Sequence, residues 1–136
     1  KDWTIGAKYR LAGGQPYTPF DIPASTQNYL TTGQGVYDYS QLNSERLPIF
    51  RQLDLRVDKK INFKKTSLDL YLDFQNVLFH KTAYIPRFTF QRNADNIGFA
   101  TTNGEPVKTD GSNAIPYILN QRSATIVPSI GFIFKF

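Results

Sequence analysis

Three stretches of this 136-residue chain alternate apolar and polar side chains with a period of two, a pattern that admits little besides a β-sheet with one apolar face. Across residues 52–63, Leu53, Leu55, Val57, Ile61 and Phe63 share one side, interrupted by Lys59, and Gln52, Asp54, Arg56, Asp58, Lys60 and Asn62 share the other. Across residues 66–78, Leu68, Leu70, Leu72 and Phe74 oppose Ser67, Asp69, Tyr71, Asp73 and Gln75. The stretch 123–136 sets Ala124, Ile126, Pro128, Ile130, Phe132, Phe134 and Phe136 against Thr125, Val127, Ser129, Gly131, Ile133 and Lys135. A weaker alternation over residues 3–11 places Trp3, Ile5, Ala7, Tyr9 and Leu11 against Thr4, Gly6, Lys8 and Arg10. No window of comparable length carries a helical stripe, and eight Tyr with eleven Phe suit pleated structure, so the expected fold class is all-β.

A two-residue turn at Lys64-Lys65 aligns both faces of the second and third strands at once. It sets Ile61 opposite Leu68, Val57 opposite Leu72 and Leu55 opposite Phe74. On the polar side it pairs Lys60 with Asp69 and Arg56 with Asp73, each pair contributing about 0.2–1 kcal/mol. The remaining stretches, 12–51 and 79–122, are punctuated by Gly and Pro and read as two long loops. Tight turns are expected at Asn103-Gly104 and Asp110-Gly111, and a short strand near residues 85–91.

Chemistry is sparse. The chain has no Cys and a single His80, so neither a thiolate site nor a histidine cluster for a metal can form. Asp54 and Asp58 share a strand face but lie about 13 Å apart at the usual rise, beyond the separation of paired glycosidase carboxylates. Ser residues show no nucleophile-elbow pattern. The expectation is no enzyme, no catalytic residue, no metal and no cofactor. The net charge of +5 is dispersed along the chain, which argues against a nucleic-acid partner. No apolar run is long enough for a membrane helix, whereas strands of about 9–11 residues do cross a bilayer. The opening at Lys1-Asp2-Trp3 and the absence of Met lead to the expectation of a piece of a longer protein.

Four antiparallel strands would place both long loops at one end and the short turn at the other, the asymmetry of outer-membrane barrels. In a barrel the apolar row faces lipid, while Lys8, Arg10, Asp54, Arg56, Asp58, Tyr71, Asp73 and Gln75 face the lumen. In a soluble β-sandwich, a ligand-binding module for a partner such as carbohydrate, the same apolar row would be the core. Alternation alone leaves the two open. In the loops, Tyr17, Tyr37, Tyr39, Arg46 and Arg87 are candidate ligand contacts, because amphipathic rings and guanidinium groups populate recognition sites.

Particular motifs carry a family resemblance. The row Ile130-Gly131-Phe132-Ile133-Phe134-Lys135-Phe136 resembles the terminal strand of bacterial outer-membrane proteins. The stretch Leu70-Tyr71-Leu72-Asp73-Phe74-Gln75-Asn76-Val77-Leu78-Phe79, followed by Tyr84, resembles the strand ending in Asn-Leu-Phe near the C-terminus of TonB-dependent receptors. Gly14-Gln15-Pro16-Tyr17-Thr18-Pro19-Phe20 and Arg51-Gln52-Leu53-Asp54-Leu55-Arg56-Val57-Asp58-Lys59-Lys60 resemble other stretches of that family, especially its Bacteroidetes members. The resemblance covers nearly the whole chain. It implies four transmembrane strands with two extracellular loops, the last part of a 22-stranded barrel whose plug domain is absent here. It further implies location in the outer membrane of a Gram-negative cell and import of a siderophore, glycan, peptide or vitamin. Ile130, Phe132, Phe134 and Phe136 would be the signal read by the barrel-assembly machinery. Other implied partners are outer-membrane lipid, the rest of the barrel and plug, TonB, and a surface lipoprotein.

Overall fold

The computed structural model describes residues 2–136. The fold is mostly β with one α-helix among the described residues, and the chain divides into two compact units. The first unit takes the chain up to Gly13, Pro48–Thr82 and Arg122–Phe136; the second takes Gly14–Leu47 and Ala83–Gln121.

The first unit is a four-stranded antiparallel sheet whose strands Trp3–Ala12, Phe50–Asn62, Ser67–Gln75 and Val127–Lys135 pair in sequence order. The register around the Lys64-Lys65 turn is the one that aligns both faces: Ile61 meets Leu68, Val57 meets Leu72 and Leu55 meets Phe74. The outer strands extend these rows. Ile5, Val57, Leu72 and Ile130 form one apolar row, and Trp3, Lys59, Leu70 and Phe132 the next. Thr4, Asp58, Tyr71 and Gly131 form a row on the opposite face. Lys59 sits on the apolar side with its ammonium 4.8 Å from the centre of the Trp3 ring, which gives that charge a π-face in place of water.

Side chains of the apolar face stand exposed. Ile5 is 76% exposed, Ile130 83%, Phe132 70% and Phe136 100%. The opposite face is polar and carries the ion pairs described below.

The third strand ends in a turn organised by Asn76. Its backbone is left-handed (φ 57°), a region Asn tolerates better than most residues. Its side chain donates to the carbonyls of His80 and Thr125, both at 3.2 Å, and accepts the His80 amide at 3.0 Å. Phe79 also has positive φ (51°), an uncommon conformation for a bulky residue, held where its amide donates to the Asn76 carbonyl at 2.8 Å.

The long connections are not irregular, contrary to the sequence expectation. They fold into the second unit, whose core is Phe88, Phe90 and Ala114 with Phe20, Tyr29, Phe99, Val107 and Ile118 packed against it. Strand Arg87–Phe90 pairs with Pro116–Leu119 and turns Phe88 and Phe90 inward. Tyr29 meets Phe88, Phe90 and Phe99 edge to face at 5.1–6.1 Å, an arrangement aromatic quadrupoles favour. It also donates its hydroxyl to Thr89 Oγ1 at 2.9 Å.

Tyr29 is delivered by the helix Ile22–Thr32. Asp21 caps it, accepting the Ala24 amide at 2.9 Å; Pro23 occupies the first turn; Gly33, at φ 69°, closes it with a bond to the Tyr29 carbonyl. Ser25 is its one buried residue, exchanging hydrogen bonds with the backbone of Val36. The expected turns at Asn103-Gly104 and Asp110-Gly111 are present, with both glycines left-handed at φ 74° and 68°. Asn113 is buried beneath them, bonded to Lys108 N, Asn103 Oδ1 and the Pro106 carbonyl.

Candidate functional site

All eight residues expected on the polar face lie along two shallow grooves of the sheet. One, about 500 Å³, is lined by Lys8, Arg10, Asp54, Arg56, Asp73 and Gln75 among others. The second, about 360 Å³, carries Arg56, Asp58 and Tyr71. Arg56 borders both.

The charges pair differently from the sequence expectation. Arg56 and Asp73 are opposite one another in register, yet Arg56 closes on Asp58 of its own strand, with Nη2 at 2.8 Å and Nε at 3.0 and 3.1 Å. Lys60 and Asp69 are likewise opposite, but Asp69 takes its ion pair at 2.9 Å from Lys135 on the next strand. Register fixes which backbones are neighbours, whereas long side chains also reach two residues along a strand or diagonally across it. A guanidinium gains a bidentate grip from Asp58 that makes that partner the stronger one.

Asp54 is engaged by three different residues. It accepts from Arg10 at 2.9 Å, from Gln52 Nε2 at 2.7 Å and from the Asn76 backbone amide at 3.0 Å. Its Arg10 comes from the neighbouring strand, so the pair ties the edge strand to the centre of the sheet. The side chains of Lys8 and Asp73 form no hydrogen bond or salt bridge with any described residue, although the Asp73 carboxylate still acts on the Arg56 guanidinium through space.

Arg56 also lies over the Tyr71 ring, 4.2 Å from its centroid. Neither Arg56 stacking nor the packing of Tyr71 onto Gly131 was predicted from sequence; the small residue directly across from an aromatic in the aligned register is the signal that could have found it.

The terminal residues Ile130, Phe132, Phe134 and Phe136 line the exposed apolar side, with the rings of Phe134 and Phe136 6.4 Å apart. Of the loop candidates, Tyr37 and Arg87 share a cleft wall in the second unit, and Tyr39 meets Tyr37 edge-on at 6.4 Å. Tyr17 and Arg46 belong to a separate two-strand ladder, in which Arg46 donates to the Gly14 carbonyl at 3.3 Å. Gln34 and Gln121, unremarked in the sequence, border the Tyr37–Arg87 clefts together with Gln15 and Tyr84.

Catalytic geometry is not assembled on His80. Its Nδ1 accepts from Arg51 Nε at 3.3 Å and its amide is held by Asn76, which makes it part of the strand-end turn. Among the described residues, no three His, Cys, Asp or Glu side chains converge as a metal site. No helix of the described chain is long and apolar enough to cross a membrane, which says nothing of strands. Comparison with protein-family models, with curated proteins and with solved structures finds no match for this chain.

Proposed function

We propose that this chain is the C-terminal barrel segment of a TonB-dependent outer-membrane receptor that imports a nutrient. The observation that carries the reading is the exposed apolar side of the sheet, opposite a face that carries its charges along two shallow grooves. Lipid is the natural solvent for a face of that composition, and strands of 9–13 residues are long enough to span it. The outer edges of the first and fourth strands have no neighbouring strand among the described residues, and open edges in hydrocarbon are costly. Adjoining strands of the same barrel satisfy them in this reading. A soluble sandwich would instead require the apolar row as its core; the buried apolar side chains among the described residues are Phe88, Phe90 and Ala114 of the other unit.

In this reading the polar face lines the barrel interior, where the Lys8 ammonium faces plug or solute. Ile130, Phe132, Phe134 and Phe136 present the assembly signal. The transport cycle involves no covalent chemistry by these residues; TonB and any surface lipoprotein act through other parts of the receptor. Immunoblotting fractionated source cells with antibody to residues 103–112 tests the proposal. The expected result is a band in the outer membrane far above 15.5 kDa. A band near 15.5 kDa in the soluble fraction would overturn it. Phe134→Asp in the parent protein is expected to abolish outer-membrane insertion, and unchanged insertion would contradict the lipid-facing assignment.

A further inference from the structure

Arg87 is the one charged residue on the wall shared by two clefts of the second unit, and its guanidinium makes no hydrogen bond or salt bridge with any described residue. The larger cleft, about 570 Å³, runs past Gln15, Tyr37, Tyr84 and Gln121; its neighbour, about 300 Å³, adds Phe20 and Gln34. No carboxylate lines either. Asp38, next to Tyr37 in sequence, is taken by the Ser40 amide and hydroxyl at 3.0 and 2.6 Å and by Gln41 Nε2 at 2.6 Å.

Both recognition groups stand on ordered backbone. Arg87 opens the strand whose next residue, Phe88, is buried, and it lies opposite Leu119. The Tyr37 ring is stacked on Phe20 at 4.9 Å and 14°. That stack needs Gly35, because a Cβ there would fall 2.5 Å from Phe88 Cβ and 2.6 Å from the Phe20 ring. Tyr39, 74% exposed, prolongs the row of rings into solvent. A ring held in this way loses little freedom when a ligand binds.

We propose that the Tyr37–Arg87 clefts bind a small monocarboxylate carried on a six-membered ring. The carboxylate accepts from the Arg87 guanidinium, whose planar fork matches it and which has no internal acid to give up. The flat face of the ligand ring lies against Tyr37, and the amides of Gln15, Gln34 and Gln121 serve its polar substituents. The proposal names the substrate class of the receptor and rests on that reading for its claim that the bound molecule is cargo.

The test measures binding to the full chain in detergent micelles by isothermal titration calorimetry, with D-glucuronate and benzoate as probes and D-glucose and benzyl alcohol as their neutral controls. At least one acid is expected to bind about tenfold more tightly than its control, the effect of one charge-assisted hydrogen-bonded pair. Which acid does so separates a sugar from an aromatic source. Arg87→Gln is expected to erase the preference, and Tyr37→Ala to weaken acid and control alike. In the unsubstituted chain the Arg87 Nε resonance is expected to shift on addition of the preferred acid. Equal binding of acids and controls, a preference that survives Arg87→Gln, or a stationary Arg87 resonance would each overturn the proposal. Acid binding by a protein found in the soluble fraction would sink the receptor reading and leave the site standing; outer-membrane location without acid binding would do the reverse.

Discussion

Tyr71 lies across the backbone of Gly131 on the neighbouring strand so closely that a Cβ there would stand 2.3 Å from both its hydroxyl oxygen and its ring carbon Cζ. The same ring carries the Arg56 guanidinium, which Asp58 grips in turn. An aromatic side chain thus fills the gap a glycine leaves in the sheet and links three strands across the polar face.

Gly131→Val is therefore expected to destabilise the sheet by about 1–3 kcal/mol through overpacking. Combining it with Tyr71→Ala should cost less than the sum of the two single changes, because the second removes the obstacle met by the first. Urea midpoints in micelles measure both, and strict additivity would show that the ring yields without cost.

Asn76→Ala should cost about 3 kcal/mol, since it orphans the His80 amide and two carbonyls and puts a Cβ-bearing residue in left-handed backbone without the local bonds that excuse Asn. Asn76→Gly should recover about 1 kcal/mol of that loss, the backbone share. Hydrogen exchange at His80 offers a local readout, with faster exchange expected in both variants.

Asp58→Asn and Asp73→Asn should differ in consequence. The first removes the bidentate partner that holds Arg56 over Tyr71 and is expected to lower the urea midpoint. The second removes a carboxylate that forms no hydrogen bond or salt bridge, and should leave the midpoint in place. The opposite ranking would restore the Arg56–Asp73 pair that register alone suggests.

The Asp38 turn should respond to acid. Hydrogen bonds from Ser40 and Gln41 hold its carboxyl below the ordinary value of 3.8. A depressed carboxyl stabilises the fold above the unfolded value and loses that contribution as pH falls through the folded one. The Ser40 amide resonance should accordingly stay constant from neutral pH down to the ordinary carboxylate range and move only below it. Asp38→Asn should abolish the movement.

The sheet was legible because its information is local: a two-residue period and one short turn determine the Ile61–Leu68 and Leu55–Phe74 pairs. The ion pairs were not, since Arg56 chooses among several carboxylates within reach and backbone register does not rank them. The helix escaped because it buries Ser25 alone and shows no apolar stripe, although Asp21, Pro23 and Gly33 are the punctuation of such an element. Tyr37 and Arg87 were readable as ligand-type residues. Their shared wall was not, because it depends on Gly35 admitting Phe88 and Phe20, residues distant along the chain.

The aromatic core around Phe88 and Phe90 has a consequence for how this chain can change. Rings that pack edge to face at 5.1–6.1 Å, closed by a helix with both ends capped, give the second unit a framework that owes nothing to its outward residues. Positions such as Tyr39, Tyr84 and Ile97 are exposed and can be randomised without touching it. The unit is in that sense a display scaffold, on which new binding specificities can be selected while the fold is inherited unchanged.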